Sequence, residues 1–161
     1  MNFILCGLPK SGKTTVGRLL AERLSWDFVD TDQLIEETYK TSCRELYQNK
    51  GELAFRALER KTISSLVGLN RTVISTGGGS LMDCENRAVL IRLGTCVLLK
   101  VSGFLKERFD PIPPYLDRHN PEKSFLELAV KRKPFYEEVA NRTILVGNLT
   151  PEDIVQGILN G

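Results

Sequence analysis

The chain has 161 residues, the size of one domain, and such a domain buries roughly 70% of the surface its unfolded chain exposes. With 42% apolar and 26% charged residues the composition excludes a disordered or fibrous chain, and no apolar run reaches the roughly 18 residues of a membrane-spanning helix. The net charge of +2 comes from 22 basic and 20 acidic residues mixed along the chain, which argues against a nucleic-acid-binding face and makes any anion site local.

Met1 to Gly7 holds an apolar run without a basic segment before it or a small-residue cleavage site after it, so it reads as structure rather than a signal peptide. A cytoplasmic location is expected. Asn2 to Cys6 has the profile of a strand buried on both faces, followed by a glycine-bounded loop and a helix from Lys13 to Leu24 with Val16, Leu19, Leu20 and Leu24 at helical spacing. Trp26–Val29 reads as a second strand and Thr31–Lys40 as a helix with Leu34 and Ile35 inward. Ser42-Cys43-Arg44-Glu45 matches a capping box, predicting a helix that Gly51 interrupts and that resumes from Glu52 to about Val67. Thr72–Ser75, Cys96–Val101 and Arg142–Val146 are strands three to five, and Thr150-Pro151-Glu152-Asp153 opens a final helix.

Strands alternating with helices predict an α/β fold with three layers, α/β/α, around a five-stranded parallel sheet. The segment from Phe109 to Lys123, with four prolines and both charge signs, is too long and polar for a simple connection and reads as functional. Cys6, Cys43, Cys84 and Cys96 form no paired motif, so neither zinc nor redox chemistry is indicated, and reduced, mostly buried thiols are expected.

The chemistry begins in Gly7-Leu8-Pro9-Lys10-Ser11-Gly12-Lys13-Thr14, which places Gly-x-x-x-x-Gly-Lys-Thr between an apolar strand and a helix. Glycines let backbone N–H groups close on phosphate oxygens, and the helix N-terminus adds positive potential. Lys13 is expected to bridge the β- and γ-phosphates of ATP, and the Thr14 hydroxyl to ligate Mg²⁺. The nucleotide cradle is taken as Gly7 to Thr15, including Thr15. Asp30-Thr31-Asp32, just past strand two, lies where ligands bind in doubly wound folds. These acids either divide metal and proton-transfer duties or serve as a helix cap and a first-turn acid. Thr76-Gly77-Gly78-Gly79 after strand three permits close approach of a ligand to backbone N–H groups. Read alone, Arg56 is an ordinary helix-surface cation, whereas Arg132, in the basic cluster Lys131-Arg132-Lys133, fits a solvated helix face and a ligand site equally well.

Together these pieces, in this order and spacing, resemble the shikimate kinase family of the nucleoside-monophosphate-kinase-like P-loop fold. The resemblance runs from Gly7–Thr14 through Asp30–Asp32, Phe55-Arg56 with Glu59, and Ser75–Gly79 to Arg132-Lys133-Pro134-Phe135-Tyr136. It implies phosphorylation of the 3-hydroxyl of shikimate by MgATP, in a single domain with a helical substrate-binding region at about 31–60 and a lid at about 105–123. Asp32 would act as base or orienter and Asp30 would reach magnesium through water. Arg56 and Arg132 would clamp the substrate carboxylate, and Gly77, Gly78 and Gly79 would approach its ring. Arg108 and Pro151 would border the adenine.

The sequence departs from the family in the lid, where Pro113-Pro114-Tyr115-Leu116 puts proline in the place of a usual arginine; Arg108 and Arg118 flank the segment as substitutes. A gluconate-kinase-like enzyme and other small-molecule P-loop kinases share the cradle but do not call for the triple glycine. A module that holds ATP without transferring phosphate is the reading of another class. A monomer is expected, with ATP and a small hydroxylated carboxylate as its ligands and neither nucleic acid nor membrane as a partner.

Overall fold

The computed structural model describes all 161 residues, Met1 to Gly161. Phe3–Cys6 (β1) is buried along its whole length and lies at the centre of a five-stranded, wholly parallel sheet in the order β2-β3-β1-β4-β5. The other strands are Asp27–Asp30 (β2), Thr72–Ser75 (β3), Thr95–Lys100 (β4) and Arg142–Leu145 (β5). Because successive side chains of a strand point to opposite faces, β1 feeds two cores. Phe3 and Leu5 join Val16, Leu20, Val155 and Ile158 beneath Lys13–Leu24 (α1) and Pro151–Asn160 (α6). Ile4 and Cys6 join Ile63, Leu90, Tyr136 and Val139 beneath Cys43–Ser64 (α3), Cys84–Leu93 (α4) and Pro121–Val139 (α5). Three layers follow, as expected.

Element ends differ from the sequence reading in physically explicable ways. The second strand runs Asp27–Asp30 rather than Trp26–Val29, because Trp26 stacks on Phe3 with ring centroids 5.8 Å apart instead of joining the ladder. Thr31–Tyr39 (α2) stops one residue early at Lys40, which takes a left-handed conformation at φ 56°. Gly51, at φ 82° and ψ 171°, kinks α3 where an interruption was expected, and the helix closes at Ser64 rather than Val67. The predicted capping box is half formed: Ser42 accepts from the Glu45 amide, while the Glu45 carboxylate accepts instead from the Thr41 hydroxyl. The irregular stretch after β4 holds a 3-10 turn at Lys106–Phe109 and ends at Asn120, which caps α5 by accepting from the Lys123 amide. Of the four thiols, Cys6 and Cys96 are buried, Cys43 is half-buried and Cys84 is exposed, so the expectation of mostly buried thiols fails for two. No helix is long and apolar enough to cross a membrane.

Asn2 fastens the start of β1. Its buried amide donates to the carbonyls of Leu69 and Leu93 at 2.8 and 2.9 Å, and its Oδ1 accepts from the Thr72 amide at 3.0 Å. Replacing Asn2 with Ala orphans these buried groups, and a loss of about 3 kcal/mol is expected in urea unfolding. An unchanged midpoint contradicts this role.

Candidate active site

The carboxyl ends of β1, β2 and β3 converge, so the loops that follow them share one cleft of about 870 Å³. β1 has β3 on one side and β4 on the other, which makes its end the point where strand order reverses and a crevice opens. Gly7 leaves β1 with φ 143°, and a Cβ there would lie 2.5 Å from the Leu99 carbonyl oxygen, so only glycine fits the turn. The following loop wraps Lys13, whose buried ammonium donates to the carbonyls of Gly7 and Leu8 at 2.9 and 2.7 Å and to Ser11 Oγ at 3.3 Å. Burial lowers the Lys13 pKa to about 8, against the opposing pull of Asp32. Pro9, Lys10, Ser11, Gly12, Thr14 and Thr15 line the same cleft, whereas Gly7 and Leu8, also assigned to the cradle, do not.

Asp30 forms the helix cap that the sequence offered, and both acids line the cleft. Asp30 Oδ1 caps α2 by accepting from the amides of Asp32 and Gln33 at 3.0 and 3.2 Å, while Oδ2 accepts from the Thr14 hydroxyl at 2.6 Å. A hydroxyl and a carboxylate therefore stand together beside the lysine of the loop. This pair of hard oxygens is the donor set that magnesium, carried by nucleotide phosphates, takes from a protein. The cap orients the next turn so that Asp32 lines the cleft. Burial, then Glu59 and Asp30, push the Asp32 carboxyl up to about 7, with Lys13 and Arg56 opposing.

The triple glycine is packed from three sides. A Cβ on Gly77 would lie 2.7 Å from Asp32 Oδ1, and one on Gly78 would lie 2.7 Å from the Pro9 ring. One on Gly79 would strike the Arg56 guanidinium, although the Gly79 backbone, at φ −99° and ψ −2°, suits any residue. Arg56 donates to Glu59 Oε1 at 2.8 Å, and Ser80 Oγ donates to Glu59 Oε2 at 2.7 Å. Glu59 is only 1% exposed, and those two donors satisfy its buried carboxylate oxygens. Arg132, left open by its local sequence and assigned to the substrate carboxylate by the resemblance, is 5% exposed, lines the cleft, and leaves Nη1 without a hydrogen-bond partner. A buried guanidinium donor with no partner is rare, and it suits an anionic ligand that completes it. One turn along α5, the Tyr136 hydroxyl donates to the Gly78 carbonyl.

At the other end of the cleft, Arg108 Nη1 donates to the Lys10 carbonyl at 3.0 Å, and Pro151 lines the wall with Val146, Leu149 and Ile154. Pro113 is buried and also lines the cleft, while exposed Arg118, the other substitute for a lid arginine, does not.

A family model described as shikimate kinase matches residues 9–161. Shikimate kinases of Ralstonia nicotianae and Thermodesulfovibrio yellowstonii are 36% and 37% identical over 161 residues, covering 98% of this chain and 85% and 92% of theirs. The chain belongs to the shikimate kinase family. It is an ATP-dependent phosphotransferase with an alcohol group as acceptor. Among solved structures, shikimate kinase from Acinetobacter baumannii in complex with shikimate superposes with a TM-score of 0.90 at 34% identity, covering 99% of this chain and 90% of that one. Thymidylate kinase from Candida albicans, at 15% identity and a TM-score of 0.61, shares the fold.

Sequence reasoning placed Lys13, Thr14, Asp30, Asp32, Arg56, Gly77, Gly78, Gly79, Arg132, Arg108 and Pro151 around this one cleft, and the structure brings them together. It assigned nothing to Ser80, Tyr136, Tyr115 or Arg44, and quoted Glu59 without a role. Glu59 stands three residues after Arg56, a spacing that pairs charges on a helix and was available as a signal. The others depend on contacts between distant segments. Gly79→Ala displaces the Arg56 guanidinium without straining the backbone. It is expected to raise the KM of an anionic acceptor by about tenfold or more, the worth of a charge-assisted hydrogen bond, with the KM of ATP unchanged.

Proposed function

We propose that this protein phosphorylates the 3-hydroxyl of shikimate with MgATP, working as a cytoplasmic monomer. The observation that carries the reading is the buried, unpartnered Nη1 of Arg132 in the same cleft as Asp32, with Arg56 between the Glu59 carboxylate and Gly79. A ligand with a carboxylate at one end and a ring hydroxyl at the other meets both demands. Its carboxylate takes the two guanidinium groups, which match it bidentately, and its hydroxyl faces Asp32.

In this reading the loop amides and Lys13 hold the β- and γ-phosphates, and Lys13 exchanges its backbone carbonyls for phosphate oxygens. Thr14 directly, and Asp30 through water, would hold Mg²⁺, which when bound offsets phosphate charge. The acceptor oxygen attacks the γ-phosphorus, the bond to the β–γ bridging oxygen breaks, and the hydroxyl proton passes to Asp32. Gly77 to Gly79 let the ring lie against backbone. Arg108 and Pro151 border the adenine. The segment of about 105–123 serves as lid, and the region of about 31–60, which carries Asp32, Arg56 and Glu59, binds the acceptor.

An assay of ADP release is expected to respond to shikimate and not to gluconate or nucleoside monophosphates. Silence with shikimate contradicts the acceptor assigned here. Asp32→Asn is expected to lower kcat by about a thousandfold, within the range that a positioned base contributes, while ATP still binds. Release indifferent both to acceptor and to this change would instead mark a module that only holds nucleotide.

The pH dependence follows from the two perturbed groups. Asp32 accepts a proton only when ionised, so kcat/KM for the acceptor should rise as pH increases through about 7. Lys13 offsets phosphate charge only when protonated, so the profile should fall above about 8. A profile that is flat between pH 6 and 9, or one that decreases through 7, is the contrary result.

A further inference from the structure

Arg44 plays no part in the reaction as described, yet it lines the cleft. It is the second residue of α3, where a cation meets the positive end of the helix dipole. Ser42 and Glu45 already supply the cap and the acidic first-turn residue that this helix start favours, so helix stability gives no reason for an arginine there. Its guanidinium Nη1 instead donates to the carbonyl of Ile112 at 3.2 Å, a contact across 68 positions of sequence.

Ile112 leads into a turn in which the Leu116 amide donates to the Pro113 carbonyl at 3.1 Å. Pro113, Pro114 and Tyr115 of that turn line the cleft. Neither proline has an N–H to offer, and the turn carries no cation. The turn is also fastened by apolar packing of Ile112, Tyr115 and Leu116 with Phe109 and Phe125, whose ring centroids are 5.1 Å apart. On the cleft side Arg44 supplies a polar fastening. Its neighbour Cys43 donates from Sγ to the Asp32 carbonyl at 3.4 Å, and farther along the same helix stand Arg56 and Glu59.

We propose that Arg44 is a positioning residue that straps the Pro113–Tyr115 turn to α3, so that an acceptor held by Arg56 beside Asp32 also holds the lid closed over itself. The turn then needs no arginine of its own to be held against α3. This rests on the reading of the cleft as a site for acceptor and nucleotide together. Arg44 touches no reacting atom, so its loss should show in acceptor binding and in exclusion of water rather than in Asp32 chemistry. With the strap gone, water competes with the acceptor for the γ-phosphorus, giving ADP and inorganic phosphate in place of ADP and phosphorylated acceptor.

The test compares Arg44→Ala and Arg44→Lys with the wild-type chain. For Arg44→Ala the KM of shikimate should rise about tenfold, the worth of a hydrogen bond from a charged donor. The ratio of ADP released to shikimate phosphorylated should rise above one, with the thermal midpoint unchanged or higher. Arg44→Lys, which keeps a charged donor, should recover part of both effects. Trypsin cleavage after Arg108 and Arg118, which needs no turnover, should be faster in Arg44→Ala with ATP and shikimate present. Wild-type KM and ratio in Arg44→Ala overturn the strap. So does unchanged trypsin cleavage, even if the true acceptor proves to be something other than shikimate, whereas failure of the wild-type chain to use shikimate bears on the acceptor alone.

Discussion

The site depends on keeping several charges in one poorly hydrated place with a single donor left over. Asp32, Glu59, Lys13, Arg56 and Arg132 crowd the ends of three parallel strands, where a buried charge is costly unless it is paired or hydrogen-bonded. Glu59 accepts from Arg56 and Ser80. Lys13 rests on loop carbonyls at the cost of a lowered pKa, and Asp32 sits near its own titration point. Arg132 has no such compensation on Nη1. In the function proposed here a substrate carboxylate supplies it, so that substrate charge completes the arrangement.

Ordinary folding devices hold these groups in place. Asp30 caps α2 with one oxygen and meets the Thr14 hydroxyl with the other, so the bond that starts a helix also sets the distance between two candidate metal-side oxygens. The Thr31 hydroxyl accepts from the Gly77 amide, and Tyr136 donates to the Gly78 carbonyl. The glycine loop is thus held from both α2 and α5. Its flexibility is confined, and its lack of side chains makes room for Asp32, Pro9 and Arg56.

Much of this was legible in the sequence because it is contiguous. The loop of Gly7 to Thr14, the acid pair and the triple glycine each follow a short apolar strand, and a parallel sheet must bring such strand ends together. The five strands and Gly51 as a helix break were readable for the same local reasons. Arg132 was legible only through the family resemblance, since a basic stretch on a helix has the same appearance whether it faces water or a cleft, and only packing of α5 against the sheet buries it. Arg44 was hidden in a matched capping motif, and its contact with Ile112 arises only when the lid folds back over α3. Trp26 misled the strand boundary because its partner is Phe3 rather than a neighbouring strand.

The measurement that bears most directly on this account is calorimetric binding of shikimate and of its carboxamide to the protein without nucleotide. The two differ in charge and scarcely in shape. If the cleft is built to complete Arg132 and Arg56 with a carboxylate, the amide should bind about a hundredfold more weakly, as expected when a buried charge pair loses one partner. Binding of the two within about twofold of each other would contradict it.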